Sequence, residues 1–242
     1  MKLVFVRHGD PNYAIDGLTE AGQQEAALLA PRIAAMDVKE FYVSPLGRAK
    51  KTAAPGLALA GREAVECEWL REFYCGPIAR PDNPASNCCW DWLPADYYAD
   101  SRLLDVNHWF ENEVMQKAHV KEEYDRVTGE FDKLLAAHGY VREEYIYRPV
   151  KPNEDTLVFI SHFGVSSVLI SHLLNCSPML IWQGMVAPPA SITTLATEER
   201  RPGIASFRIN AFGDTAHLYA AGVAPAFAAR FCETYGNGDR ED

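Results

Sequence analysis

The chain has 242 residues, 48% of them hydrophobic, enough for one sizeable α/β core, and a formal charge of −10 with no Lys/Arg-rich run. That balance speaks against nucleic acid or an anionic membrane surface as a partner, although a local basic pocket could still take a small phosphorylated ligand. No stretch approaches the roughly 20 apolar residues of a spanning helix. The start reads as a strand rather than a signal peptide, and the six cysteines (Cys67, Cys75, Cys88, Cys89, Cys176 and Cys232) match no paired zinc or redox spacing, so a cytoplasmic protein with reduced thiols is expected.

The elements follow in chain order. Residues 2–6 form a short apolar run that ends abruptly in Arg7-His8-Gly9-Asp10, as a buried strand does when it delivers polar groups to the rim of a sheet. Arg7 offers a planar fork of donors suited to phosphate, His8 a ring nitrogen able to act as nucleophile or base, and Gly9 a backbone free to approach closely or adopt positive φ. Alone, the tripeptide is equally a polar strand end. Thr19 is an N-cap candidate, and the apolar spacing of Ala26, Leu29, Ala30 and Ile33 predicts an amphipathic helix over 19–35. A second strand, Phe41-Tyr42-Val43, ends at Ser44-Pro45-Leu46, where Ser44 or a neighbour can start a helix whose first turns hold Arg48. Residues 64–68 are a candidate third strand.

Periodicity fails from 75 to 119, a stretch with Pro77, Pro81, Pro84, Pro94 and six tryptophan, tyrosine and phenylalanine side chains, Trp90, Trp92, Tyr97, Tyr98, Trp109 and Phe110. It is too aromatic for a disordered linker and reads as an irregular insertion, or lid, packed on the main domain. A helix is predicted over 120–138, then the clearest later strand, 156–160, ending in Ser161-His162-Phe163-Gly164, and a helix over 165–174. Residues 191–196, 206–210 and 217–219 are read as strands of a more antiparallel C-terminal part. The order predicts a single α/β domain over 1–242, with a mainly parallel sheet, helices on both faces and the 75–119 insertion.

Parallel strands present their carboxyl ends on one edge, so Arg7, His8, Arg48 and His162 converge on one crevice. Phosphoryl transfer through histidine needs this set: one imidazole to attack phosphorus, two guanidiniums and a second imidazole on the non-bridging oxygens, and a carboxylic acid for the leaving alkoxide. Singly, Arg7 and Arg48 could be surface arginines and His162 a buried, hydrogen-bonded histidine.

In order and placement, Arg7-His8-Gly9, Leu18-Thr19-Glu20-Ala21-Gly22, Ser44-Pro45-Leu46-Gly47-Arg48-Ala49-Lys50-Lys51-Thr52-Ala53, Leu70-Arg71-Glu72, Ser161-His162 and Asp214-Thr215-Ala216-His217-Leu218 resemble the histidine phosphatase, or phosphoglycerate-mutase-like, superfamily. The resemblance covers most of the chain and leaves the insertion out. It implies His8 as the nucleophile that becomes phosphohistidine, with Arg7, Arg48 and His162 as the phosphate pocket. It also implies Glu72 as proton donor, and no metal or other cofactor. Asn12 and His217 are further candidates for the pocket. Two departures alter the pocket wall: Asp10-Pro11-Asn12-Tyr13 stands where many relatives have Glu and a later Asn, and Phe163 separates His162 from Gly164. The patterned segment of cofactor-dependent mutases is not recognisable, which favours hydrolysis of a phosphate monoester. A mutase-type phosphotransferase and a non-catalytic phospho-ligand-binding module are the alternatives. The expected partner is a small phosphorylated substrate, with no nucleic acid and no membrane; a homodimer through the insertion is left open.

Overall fold

The computed structural model describes residues 1–83 and 88–226, with Thr234 and Gly236. Pro84 and Cys232 lie outside the described residues. Ten strands are formed: β1 (Lys2–Arg7), β2 (Pro11–Asn12), β3 (Gly17–Leu18), β4 (Glu40–Val43), β5 (Val65–Glu66), β6 (Tyr140–Glu143), β7 (Ile146–Pro149), β8 (Thr156–Ser161), β9 (Ile192–Arg201) and β10 (Ile204–Asp214). The helices are α1 (Glu20–Ala34), α2 (Gly47–Ala60), α3 (Pro94–Tyr97), α4 (Glu113–Lys117), α5 (Val120–Ala137), α6 (Phe163–Leu174), α7 (Pro178–Gly184) and α8 (Ala216–Ala220).

Eight strands make one sheet in the order β5-β4-β8-β1-β9-β10-β7-β6, and β2 with β3 forms a small separate ribbon. From β5 to β1 the strands run parallel. From β9 onward they alternate antiparallel, in keeping with the antiparallel character expected of the C-terminal part. The parallel register pairs Arg7 with Ser161 and Val43 with Ile160, so three strands end level with one another. This alignment sets His8, Ser44 and His162 side by side.

The apolar runs of β1 and β8 are continuous because both faces of the sheet are covered. Alternate side chains split between two cores. Leu3, Phe5, Leu157 and Phe159 join the larger one, with α5, α6, α7 and the insertion; Val4, Val6, Val158 and Ile160 join the smaller one, with Leu29, Ile33, Ala49 and Ala53 of α1 and α2. The α/β fold with helices on both faces is as expected.

Several local expectations hold and others shift. Thr19 caps α1, its Oγ1 accepting from Gly22 N at 3.0 Å. The strand expected over 217–219 is instead the helix α8, and the expected strand over 64–68 contracts to the two exposed residues of β5. The β6–β7 hairpin and α7 were not foreseen. The insertion holds short helical turns, and several of its apolar side chains belong to the core: Trp109, Leu103 and Met115 are fully buried and Trp92 nearly so, while Tyr98 is exposed. Trp109 meets Tyr124 of α5 and Trp182 of α7 edge-on, at 5.5 and 5.8 Å between ring centroids. Among the described residues no helix is long and apolar enough to cross a membrane.

Candidate active site

At the end of β1, the backbone turns sharply under α1. A Cβ on Gly9 would lie 2.7 Å from the Gly22 carbonyl oxygen, so glycine is required here for close approach; its φ is not positive. The turn is held from three sides. Gly9 N donates to Thr52 Oγ1 at 2.9 Å, Asp10 N donates to the buried Glu25 Oε2 at 2.7 Å, and Thr19 Oγ1 donates to Asp10 Oδ2 at 2.6 Å.

His8 is buried on this turn and its Nδ1 lies 2.7 Å from the Gly9 carbonyl oxygen. A carbonyl only accepts, so Nδ1 carries the proton and Nε2 keeps its lone pair. Burial first, then the charges of Arg7 and Arg48, push the imidazole well below its ordinary pKa, which keeps it neutral and nucleophilic.

His162 stands opposite, fully buried, its ring centroid 5.1 Å from that of His8. Its Nε2 lies 2.7 Å from Ser44 Oγ. That hydroxyl accepts from Leu46 N at 3.3 Å and has its proton to give to Nε2. Nδ1 is then the protonated nitrogen, and it is buried without a protein partner, a donor awaiting an acceptor. Burial, followed by His8, Arg48 and Arg7, holds His162 well below its ordinary pKa.

Two guanidiniums complete the cradle. Arg7 is buried, donates from Nη1 to the Ala187 carbonyl at 2.8 Å, and packs its fork 6.0 Å from the Phe163 ring centroid. Burial lowers its pKa, and Tyr13 and Glu72 act most strongly to raise it. Arg48, in the first turn of α2, donates to Asp16 Oδ1 at 2.8 Å and lies 5.4 Å from the Tyr13 ring centroid. The other Asp16 oxygen accepts from Gly47 N at 2.6 Å, so one carboxylate caps α2 and aims Arg48. Of Ser44 and its neighbours, Leu46 stands at the start of α2, and Ser44 serves His162.

Glu72 follows a short 3-10 turn after β5 and reaches under α6. Its Oε1 accepts from Phe73 N at 2.8 Å and Val165 N at 2.9 Å, and its Oε2 accepts from Gly164 N at 3.3 Å. Enclosure pushes the carboxyl up, against these N–H groups and Arg7, which act to lower it. Oε2, with only the long contact, has room for a proton. A Cβ on Gly164 would lie 2.6 Å from Glu72 Oε1 and 2.2 Å from Trp90, so the insertion reaches the same spot as the carboxyl.

Arg7, His8, Arg48, Glu72 and His162 thus converge. Asn12 and His217 do not join them in any contact. Asn12 Oδ1 accepts from Ala14 N at 3.2 Å, capping the turn over Tyr13–Ile15. His217 faces Arg32 at 3.5 Å, beside the Arg32–Asp214 ion pair. Four residues with evident supporting roles were not singled out from sequence: Tyr13, Asp16, Glu25 and Thr52. Of these only Asp16, a lone acid next to Gly17 and the Thr19 cap, left a local signal.

Comparison with known proteins places the chain in a family. The profile of the histidine phosphatase superfamily, branch 1, matches residues 3–210. A probable phosphatase of Schizosaccharomyces pombe is 24% identical over 233 residues, covering 90% of this chain and 95% of its own. The fold is shared with a phosphoserine phosphatase mutant of Entamoeba histolytica solved with phosphoserine (TM-score 0.59, 20% identity, 90% and 98% of the two chains). It is also shared with a mycobacterial glucosyl-3-phosphoglycerate phosphatase solved with VO3 (TM-score 0.56, 18% identity, 88% and 99%). The chain belongs to the histidine phosphatase superfamily, branch 1, and is an enzyme of the phosphatase type.

Proposed function

We propose that the chain is a metal-independent phosphomonoesterase that works through a phosphohistidine on His8, acting on a small phosphorylated substrate. The observation that carries the reading is the tautomer of His8: its Nδ1 is committed to the Gly9 carbonyl, which leaves Nε2 as a neutral nucleophile between two arginines. Nε2 attacks phosphorus in line with the departing oxygen. Arg7, Arg48 and the His162 Nδ1–H take the three non-bridging oxygens and offset the charge of the transition state. Glu72 gives its proton to the leaving alkoxide. Water then attacks the phosphohistidine, Glu72 now accepting the proton, and phosphate leaves with His8 restored.

The insertion acts as a lid in this scheme, with Trp90 beside Glu72. The solved relatives' named substrates, phosphoserine and glucosyl-3-phosphoglycerate, are small esters of the class proposed here. The five described cysteines are free, consistent with the reduced, cytoplasmic setting proposed for the protein. The test is a panel of phosphate esters assayed with a chelator present. Wild type is expected to hydrolyse some of them and to yield an acid-labile phosphoenzyme on quenching, and His8→Ala to do neither. Equal hydrolysis by the two proteins would sink the reading.

A further inference from the structure

Three aromatic rings border the reacting groups; two of them lie against arginines of the cradle. Phe163 lies against Arg7, Tyr13 against Arg48, and Trp90 against Gly164, the residue that also touches Glu72. Whatever lies beside the proton donor lies beside the leaving group, because the proton goes to the ester oxygen. Trp90 meets the Phe163 ring edge-on at 6.0 Å between centroids and is only partly buried. Tyr13 is 70% exposed, an unusual state for a ring next to a buried arginine.

The Trp90 segment is fixed in place. Arg80 and Asp91 form an ion pair at 2.9 Å with both side chains buried. Gln183 of α7 accepts from Trp92 N at 3.1 Å and donates to the Cys89 carbonyl at 2.6 Å, gripping the chain on both sides of Trp90. A preorganised ring costs little ordering on binding.

Charge points the same way. The cations that act most strongly on His162 are Arg48, Arg7 and Arg71. Arg7 and Arg48 are committed to the transferred phosphate, and Arg71 is paired with Glu68. No further cation of this set is left for a carboxylate or a second phosphate on the leaving group.

We infer that Tyr13 and Trp90 form an aromatic clamp selecting phosphomonoesters whose leaving group carries an uncharged, flat ring. The inference rests on the phosphomonoesterase reading for its chemistry, but its binding half can be tested without turnover. Benzyl and ethyl phosphate offer alkoxides of similar leaving ability, so the ratio of their kcat/KM values reports the ring. Benzylphosphonate and ethylphosphonate, which cannot be hydrolysed at phosphorus by this route, report the same ratio as Kd by calorimetry. Wild type is expected to favour the ring by about tenfold or more in both ratios, since each ring contact is worth roughly three- to tenfold. Tyr13→Ala and Trp90→Ala should each lower the ratio about threefold or more, with Trp90→Phe recovering part of it. Tyr13 is exposed, so its variant keeps the test alive if Trp90→Ala does not fold. A phosphonate ratio near one in wild type, an unchanged ratio in Tyr13→Ala, or tighter binding of phosphoserine than of benzylphosphonate would overturn the clamp. A retained phosphonate ratio without His8-dependent hydrolysis would uphold the clamp and overturn only the hydrolytic reading.

Discussion

The rim of the parallel strands and the insertion that overlies it hold side chains still by different means. At the rim the fixing is polar. His8 is oriented by its own neighbour's carbonyl, His162 by Ser44, Arg48 by Asp16, and Glu72 by three backbone N–H groups. Around Trp109 of the insertion the fixing is chiefly apolar. Trp109 is buried against Tyr124 and Trp182, and Met115 and Leu103 fill the same core. The rim brings together Arg7, Arg48 and two imidazoles held well below their ordinary pKa by burial and by those arginines. The difference teaches where each kind of damage will show: changes at the rim should cost activity more than stability, and changes in the insertion core the reverse.

The largest effect expected is at Arg7. Arg7→Ala removes a fork that no neighbour can replace, and kcat/KM on any phosphomonoester should fall by about 10³- to 10⁵-fold, the scale seen for arginines that stabilise phosphoryl transfer. The melting temperature should move by only a few degrees, because a buried guanidinium facing Arg48 and two imidazoles contributes little to folding. A thermal loss as large as that of a core truncation would break the comparison.

Glu72 tests the polar fixing by pH. Its carboxyl is pushed up by enclosure, and His8 is pushed down by burial and by Arg7 and Arg48. The proposed reaction needs Glu72 protonated and His8 neutral. Rate should therefore fall at low pH as His8 takes up a proton and at high pH as Glu72 loses one. Glu72→Gln should lower kcat on alkyl phosphates by about 10²- to 10⁴-fold. It should also abolish the alkaline limb while sparing esters whose leaving oxygen needs no proton. An alkaline limb that persists in Glu72→Gln would assign the proton to another group.

On the other side, Trp109→Ala should cost about 3–5 kcal/mol of unfolding free energy in denaturant titration, the usual scale for deleting a fully buried large aromatic. The molecules that remain folded should keep kcat/KM within a few-fold. A variant of normal stability with collapsed activity would mean that the insertion serves the site rather than the core.

This contrast also explains what could be read from the chain. Arg7, His8 and His162 stand at the ends of apolar runs and Arg48 in the helix after another, and a strand end is a local signal that parallel topology turns into a shared edge. Glu72 was placed by its Leu-Arg-Glu context. What was missed depends on contacts across the fold. The bond of Ser44 to His162 left no signal because the two lie 118 positions apart. The 217–219 segment alternates weakly enough for a strand, yet Thr215 opens a helical turn that packs on α1. The insertion has no period because short turns, not long elements, carry its tryptophans into the core.

Asp16 is where the two modes of fixing meet, and its effect should be the smallest. Its backbone takes the left-handed region, φ 42°, so that both carboxylate oxygens face α2. One caps Gly47 N in place of Leu46, which has no side chain to do so; the other holds Arg48. The side chain is 44% exposed, so the ion pair itself is worth under about 1 kcal/mol and the cap about as much again. Burial pushes this carboxyl up, but the Gly47 N–H and Arg48 outweigh it and leave the pKa lowered in the folded protein. Its stabilisation is then complete above the unfolded carboxylate range and lost as pH falls through the folded value. Asp16→Ala should lower stability by about 1–2 kcal/mol near neutral pH, and the gap to wild type should close in acid. Because Arg48 loses its anchor but not its charge, KM should rise more than kcat falls. Asp16→Asn keeps an acceptor for Gly47 N and should recover most of the stability, while Arg48, left with a neutral partner, keeps part of the KM defect. If Asp16→Asn instead restored KM fully, the anchoring of Arg48 would be a matter of shape and not of charge.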